Sequence, residues 1–500
     1  MDKQKSILNV CVSVGFKIVT IVMAIVAKRF LIQTCGNEVN GLNALYISIA
    51  DFLTVADLGI GTAITFCMYK PIVQGDNKTV SALYQLFKRL YLIIGGVILV
   101  SGLAITPFIH NFAKDYAQLN VNLYTSFILV LVSVVITYLF GAQISLFNAY
   151  KYNYITTAIN SGGIVIQYIL QIIVLLTMRS FTWYLVCRII AAFLQWLVAD
   201  IIARKKYYQI LRDKQKLDKG TQKELVKNIK AMFMHKVGIL LVNSADSIII
   251  STYIGVVTLG DYSNYSMILN SMSGVIKLVF TSLTSILGHL YAEKSKDIVK
   301  KYCEIGHLLN FWIGVIFFLG YYAIIDNLIA ILFSAELIVS KSISFVIAVN
   351  GFVQFIRENT LVFRDATGTF YNDRWKPLIE GVVNIILSIM FVRRIGVVGV
   401  IVATIITNLL ICHIVEPYVL YKNAFASSPR MYYLKNYGMI SIFIISLFLL
   451  NHCMQSFGNQ WKELFVNGCI SVVISMAACA AAALFNMKTF RYAVKKIKKN

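Results

Sequence analysis

Charge is scarce in this chain, and negative charge scarcest. Only 14% of its 500 residues are charged, with 23 Asp and Glu against 46 Lys and Arg. Together with 58% hydrophobic residues and a mean hydropathy of +0.73, that excludes an ordinary soluble domain. The nine cysteines form no Cys-x-x-Cys pair and sit mainly in apolar stretches (Cys11, Cys67, Cys187, Cys412, Cys469, Cys479), so neither a disulfide framework nor a zinc site follows. No GxxxxGK[ST] phosphate loop is present, which removes ATP hydrolysis within this chain. There is also no HExxH, no GxSxG and no metal-spaced Cys/His cluster, and the six histidines are scattered singly. These absences point away from an enzyme and away from a bound cofactor or metal.

What fills the chain instead is apolar helix. About fourteen stretches of some twenty mostly apolar residues run from Ser6–Ile32 to Val466–Phe485, each long enough to cross a hydrocarbon core of ~30 Å. The approximate spans are 7–32, 42–66, 90–109, 121–147, 154–177, 183–203, 231–254, 263–289, 305–326, 341–364, 377–392, 397–420, 437–455 and 465–486. Backbone groups in lipid must bond within their own segment, so the fold class is all-α, a polytopic membrane protein. The first stretch lacks a small-residue cleavage site and exceeds a signal-peptide core, so it is expected to be a retained helix.

The excess of basic residues follows the connections. With the N-terminus inside, the cytoplasmic groups are Lys3 and Lys5; Lys70, Lys78, Lys88 and Arg89; the run from Arg204 to Lys230; Lys294 to Lys301; Arg374 and Lys376; Lys422 to Lys435; and the Lys488–Lys499 tail. The opposite side holds Lys114, Arg179, Lys341, Arg393, Arg394 and Lys462. This asymmetry predicts both termini in the cytoplasm. It explains a net charge of +23 through topology and anionic headgroups, without invoking nucleic acid.

The halves are related. A gapless shift of 219 residues superposes Lys17 on Lys236, Gly36 on Gly255, Gly41 on Gly260, Tyr46 on Tyr265 and Ile49 on Ile268. Five identities over about 35 positions exceed the roughly two expected by chance. Six helices separate the copies, so both halves keep one orientation, giving a parallel pseudo-two-fold repeat. The expected organisation is an N-lobe at 1–203 (spans 1–6), a basic cytoplasmic linker at 204–230, a C-lobe at 231–421 (spans 7–12), and two further spans with a basic tail at 422–500.

Ionisable groups inside spans cost ~2.5–3.5 kcal/mol each at a helix centre and so mark wet pathways. The basic set is Lys17, Lys28, Arg29, Arg188, Lys236, Lys277 and Arg357; the acidic set is Asp51, Asp57, Asp246, Glu358 and Glu380. Lys17 and Lys236, related by the repeat, would together receive an anion carrying several charges, such as a diphosphate. Pairing with a carboxylate (Lys236 with Asp246) or snorkelling to an interface is the alternative. Arg29 is an anion contact or an interfacial anchor. Lys277 has no acid near it in sequence, which favours the lumen. Gln354, Arg357, Leu361 and Arg364 recur at helical spacing, so Arg357 either meets substrate or pairs with Glu358 or another helix. Asp51 and Asp246 are candidates for a coupling proton or sodium ion, Asp246 flanked by Asn243, Ser244 and Ser247. Asp57 would do the same or cap a terminating helix.

Three segments carry a family resemblance. The first is Gly36-Asn37-Glu38-Val39-Asn40-Gly41-Leu42 with Ala56-Asp57-Leu58-Gly59-Ile60-Gly61-Thr62-Ala63 and Tyr69-Lys70-Pro71. The second is Asp246-Ser247-Ile248-Ile249-Ile250-Ser251 with Gly260-Asp261-Tyr262-Ser263-Asn264-Tyr265. The third is Asp373-Arg374-Trp375-Lys376-Pro377-Leu378-Ile379-Glu380 with Asn384, Gly396, Gly399, Thr404 and Glu416-Pro417. In order and spacing they resemble the Wzx-type polysaccharide-biosynthesis flippases of the multidrug/oligosaccharidyl-lipid/polysaccharide exporter superfamily. The resemblance implies two six-helix lobes around a cavity that opens alternately to either side of the bacterial cytoplasmic membrane. It implies as substrate an undecaprenyl-diphosphate-linked oligosaccharide repeat unit, handed to a polysaccharide polymerase and other assembly proteins, and a monomeric transporter. In related lipid II flippases, arginines on the first and second helices hold the diphosphate; here Lys17 and Arg29 are the first-helix cations, while the second helix offers Asp51 and Asp57. A multidrug exporter of the same fold would need an acidic, aromatic cavity. A polysaccharide polymerase would need a large outer loop, and the outer connections are short.

Overall fold

The computed structural model describes residues 2–54, 60–116, 119–213, 217 and 244–497, and every regular element among them is helical. They fall into two compact units, Met1–Gly260 and Asp261–Asn500. The first contains α1 (Asp2–Cys35), α2 (Asn37–Leu53), α3 (Ile60–Gln74), α4 (Asn77–Ile105), α5 (Leu123–Thr137), α6 (Gly141–Ala149), α7 (Asn153–Thr177), α8 (Phe181–Arg212) and a helical run at 244–253 (α9). Helix α10 (Val256–Glu293) begins there and continues into the second unit. That unit adds α11 (Lys296–Leu332), α12 (Lys341–Phe355), α13 (Glu358–Ala366), α14 (Lys376–Thr407), α15 (His413–Asn423), α16 (Arg430–Cys453), α17 (Gln460–Phe485) and α18 (Met487–Ile497).

Taking a helix and its continuation across a break as one, eight stretches among the described residues are long and apolar enough to cross a membrane. They are Asn77–Phe112, Leu123–Ala149, Asn153–Thr177, Phe181–Arg212, Lys296–Leu332, Lys376–Asn423, Arg430–Cys453 and Gln460–Phe485. Against the fourteen spans expected, several boundaries move for local reasons. The expected span 42–66 is two helices, α2 ending at Leu53 and α3 beginning at Ile60, with Asp57 outside the described residues. Helix α4 starts earlier than hydropathy indicates because Asp76 caps it, its carboxylate accepting the Thr79 amide at 3.0 Å. Of the basic linker, α8 occupies the part up to Arg212, and 218–230 lies outside the described residues. The expected spans 377–392 and 397–420 are separated at Ile395–Gly396, where Gly396 takes φ 61°.

Hydrocarbon is as apolar as leucine, so helix association here rests on close packing and on polar groups bonded between helices. The second unit packs aromatics tightly: the Phe352 and Phe443 rings stack with centroids 3.7 Å apart. Where α12 gives way to α13, the chain breaks at Ile356–Arg357, and buried Asn310 of α11 donates to the carbonyls of Phe355 (3.3 Å) and Ile356 (3.0 Å). That is the condition for a broken helix at membrane depth, its freed backbone groups answered by a neighbour. The Asn359 amide likewise reaches the Cys303 carbonyl at 3.1 Å. Gly306 makes room: a Cβ there would lie 2.3 Å from the Asn359 side-chain oxygen.

Candidate functional site

Most of the intramembrane charge in the second unit gathers around the α12–α13 break. Arg357 makes a two-pronged ion pair with Glu416 of α15, Nε to Oε2 at 3.0 Å and Nη2 to Oε1 at 2.5 Å, and also donates to the Asn408 side chain. Lys376, in the first turn of α14, joins from the other side, 2.7 Å from Glu416 Oε1 and 3.0 Å from Glu380 Oε2. Glu380 itself stands 4.0 Å from Arg357. Two cations and two anions thus neutralise one another in a buried cluster. A wide π-helical turn at Asn408–Cys412 precedes α15 and brings both Asn408 and Glu416 to the same guanidinium. Two turns beyond the break, Arg364 pairs with buried Asp373 at 2.9 Å and with Asp365 at 3.0 Å.

The residues expected to share one polar helical face, Gln354, Arg357 and Arg364, are divided between α12, the break and α13, and each has a specific partner. Gln354 donates to Asn350 at 3.2 Å, Arg357 takes Glu416 and Arg364 takes Asp373. Arg357 takes the ion-pair alternative with Glu416 of another helix, while Glu358 pairs with Lys277 at 2.8 Å. Lys277, which has no acid nearby in sequence, finds one in space and still keeps about half its side chain exposed, at 48%. Of the sequence candidates in this unit, Lys277 is the cation that remains open to a ligand.

In the first unit the cations line α1. Lys17 and Arg29 are exposed and Lys28 is half-buried. Eleven residues make three helical turns, so Lys17 and Lys28 share a face about 16 Å apart along the axis. Helix α1 packs along α7, and α7 along α8. Asp51 near the end of α2 is exposed and interacts electrostatically with half-buried Arg188 of α8, whose other ionisable neighbours are Tyr168 and Tyr184. Asp246 is half-buried on α9 beside buried Ser244. Lys236 lies outside the described residues, as does Asn243.

Lys376 and Glu416 are the site members that sequence reading misses. Lys376 reads as a loop lysine that sets topology, yet it is buried to 6% exposure. The signal is present in its i, i+4 spacing to Glu380 and in a lone Glu416 within an apolar run before Pro417.

The segments that carry the resemblance meet in space. Lys376, Glu380 and Glu416 of the third close around Arg357, and Asn384 donates to Thr404 at 2.9 Å. In the first unit, Asn40 of the first segment donates to the Gly260 carbonyl of the second at 3.3 Å. A family model described as "Polysaccharide biosynthesis protein" matches residues 4–284, more than half of the chain. The chain belongs to the polysaccharide biosynthesis protein family. Among solved structures it is similar to the lipid II flippase MurJ in an inward closed conformation, with 14% identity, 96% of this chain and 99% of that one covered and a TM-score of 0.65. It is also similar to a multidrug resistance MATE family transporter of the MOP superfamily in an inward-facing conformation, with 13% identity, coverage of 87% and 98% and a TM-score of 0.62. A mutant of the Vibrio cholerae MATE transporter VcmN follows at 11% identity, coverage of 85% and 98% and a TM-score of 0.55. No curated protein matches the chain. At these identities the likeness establishes the fold, that of the MOP transporters. This family member is a multi-pass membrane protein.

Proposed function

We propose that this polysaccharide biosynthesis protein is a flippase. It carries an undecaprenyl-diphosphate-linked oligosaccharide repeat unit from the cytoplasmic to the outer leaflet of the bacterial cytoplasmic membrane, where surface polysaccharide is assembled. The observation that carries this reading is the conjunction of a polysaccharide-biosynthesis family with a transporter fold. Of the structures it is similar to, one is itself named a lipid II flippase. The cations spaced along α1, exposed Lys17 and Arg29 and half-buried Lys28, suit successive contacts with a diphosphate moving along the helix, whereas a carrier of organic cations needs acidic groups there.

In this mechanism the lipid tail stays in the bilayer while the charged head crosses in water, with Lys17, Arg29, Lys236 and Lys277 as its proposed cationic contacts. Glu358 holds the Lys277 ammonium in place. Arg357 has a supporting part, fixing the break between α12 and α13 through Glu416. Rocking of two halves alternates access, and exchange of a proton or sodium ion at Asp51 or Asp246 biases the cycle. Both termini are in the cytoplasm, the transporter acts as a monomer, and a polymerase receives its product.

Deleting the protein tests the reading directly. Lipid-linked repeat units are expected to accumulate in the cytoplasmic leaflet, protected from an external glycosidase, with no surface polymer. Normal polymer display in a strain with no second flippase refutes it.

A further inference from the structure

Among the described residues the most amphipathic helix is α18, and it forms one wall of a basic pocket. Helix α18 reads Met-Lys-Thr-Phe-Arg-Tyr-Ala-Val-Lys-Lys-Ile, with four cations and no acid. Met487, Phe490 and Val494 recur at helical spacing and make an apolar stripe, while Lys488, Arg491 and Lys495 are exposed. The stripe docks inward, Phe490 edge-on to Trp312 of α11 with ring centroids 6.1 Å apart. Polar ties fix the same seam: Lys435 of α16 reaches both Glu304 and the Thr489 hydroxyl at 3.1 Å, and Lys496 meets the Tyr302 hydroxyl.

These contacts border an open pocket of about 620 Å³. Lys301, Lys435 and Lys488 supply its charge, Tyr492 a hydroxyl and ring, and Met431 and Phe485 an apolar floor. Glu304 is the single carboxylate in the lining, and Lys435 already neutralises it. Among the described residues, Lys301 and Lys488 have no carboxylate partner, and the Lys301 ammonium sits 5.2 Å from the centre of the Tyr492 ring. A pocket with two unneutralised ammonium groups above an apolar floor, walled by a helix of interfacial character, matches one chemistry: a phosphodiester carrying acyl chains.

We propose that this pocket binds the headgroup of an anionic glycerophospholipid of the surrounding leaflet. Lys301 and Lys488 contact the phosphate, the acyl chains descend along Met431 and Phe485, and the bound lipid pins α18 to the ends of α11 and α16. The site shares no residue with the Arg357 cluster, and its test is independent of the flippase reading.

The experiment is a titration of the full chain, purified in a neutral detergent, with phosphatidylglycerol, phosphatidylcholine or inorganic phosphate, read by binding and by melting temperature. Phosphatidylglycerol is expected to bind and raise the melting temperature, and phosphatidylcholine to do neither. Replacing both lysines (K301Q with K488Q) is expected to weaken phosphatidylglycerol binding about thirtyfold without changing the lipid-free melting temperature. R491Q removes a charge from the same helix outside the pocket and is expected to leave binding within about twofold. If the double variant unfolds, K301Q alone is expected to give about a fivefold loss. Equal loss in R491Q would mean general surface attraction and overturn the site. So would unchanged binding in the lysine variants, or an equal melting shift from inorganic phosphate alone.

Discussion

Gly41 packs against Gly260, and the contact is its own mirror under the internal repeat. A Cβ on Gly41 would lie 2.8 Å from the Gly260 nitrogen and 1.8 Å from the Val256 carbonyl oxygen; one on Gly260 would lie 2.5 Å from the Asn37 carbonyl oxygen. Shifting 41 by 219 gives 260, and shifting 256 back by 219 gives 37. The two clashes are therefore one contact seen from both copies, as a local two-fold requires. Tyr46 and Tyr265, also related by the repeat, are both fully buried. Tyr46 donates to the Leu123 carbonyl at 2.7 Å, and Tyr265 donates to Asp326 at 2.8 Å while accepting from the Val339 amide at 3.3 Å. Tyr46 thus holds the start of the fourth expected span, and Tyr265 the end of the ninth and the connection that follows it.

Substitution at this crossing should be costly because the obstructing atoms are backbone and cannot rotate away. Gly41→Ala and Gly260→Ala are each expected to destabilise the protein by about 1–3 kcal/mol, the usual range for forced overpacking. Gly96→Ala, where a Cβ meets nothing within 4 Å, is the control and should be neutral or slightly stabilising. Melting temperatures in one detergent decide the comparison, and equal behaviour of Gly41 and Gly96 would contradict the close approach.

The cluster around Arg357 predicts a strong non-additivity. Glu416→Ala leaves Arg357 and Lys376 facing one another without their shared carboxylate, a change expected to cost about 3–5 kcal/mol. Arg357→Met with Glu416→Leu removes both members of the tightest pair and should cost clearly less than Glu416→Ala alone. A double-mutant cycle on chemical or thermal unfolding measures the coupling. Additive single effects would mean that the pair is not desolvated.

Much of this is legible without coordinates. Apolar runs imply a helical membrane protein because twenty apolar residues have few other fates, and five spaced identities imply the repeat. Hydropathy misplaces the helix ends at Asp76 and at the α12–α13 break, because capping and the Asn310 bonds lie outside any apolar window. It also leaves the partners of charges open. Nothing in sequence separates Glu358 from Glu416 as the mate of Arg357; adjacency favours the first. A residue next in a helix points about 100° away, and only the fold brings α15 alongside.

At the α3–α4 connection, outside the spans, stability should depend on pH in a definite direction. The Asp76 carboxyl is held below its ordinary range, chiefly by the Thr79 hydroxyl and amide. A lowered folded value means the contribution is complete above the unfolded value of 3.8 and disappears as pH falls through the folded one. Asp76→Ala is expected to lose about 1 kcal/mol of cap stability at neutral pH. Asp76→Asn keeps an acceptor and should remove the acid dependence at small cost, measured as melting temperature at pH 7 and at about pH 2.5, below the unfolded value. A wild-type-like acid slope in Asp76→Asn would place the titration elsewhere.

The proposed transport site yields the sharpest functional test. Lys17 is exposed, and among the described residues its ammonium has no hydrogen bond or ion pair, while its backbone carbonyl accepts from Thr20, so Lys17→Ala should leave folding intact. Combined with Lys236→Ala it is expected to abolish export of lipid-linked repeat units while membrane levels and melting temperature stay unchanged. Lys277→Ala leaves Glu358 without its cation and should lower export and stability together. Rescue separates the roles: Lys17→Arg restores a charge for a diphosphate, whereas Lys17→Gln does not. Surface polymer at wild-type levels in the Lys17/Lys236 double alanine variant would remove both residues from the pathway and leave the cationic face of α1 as an interfacial anchor.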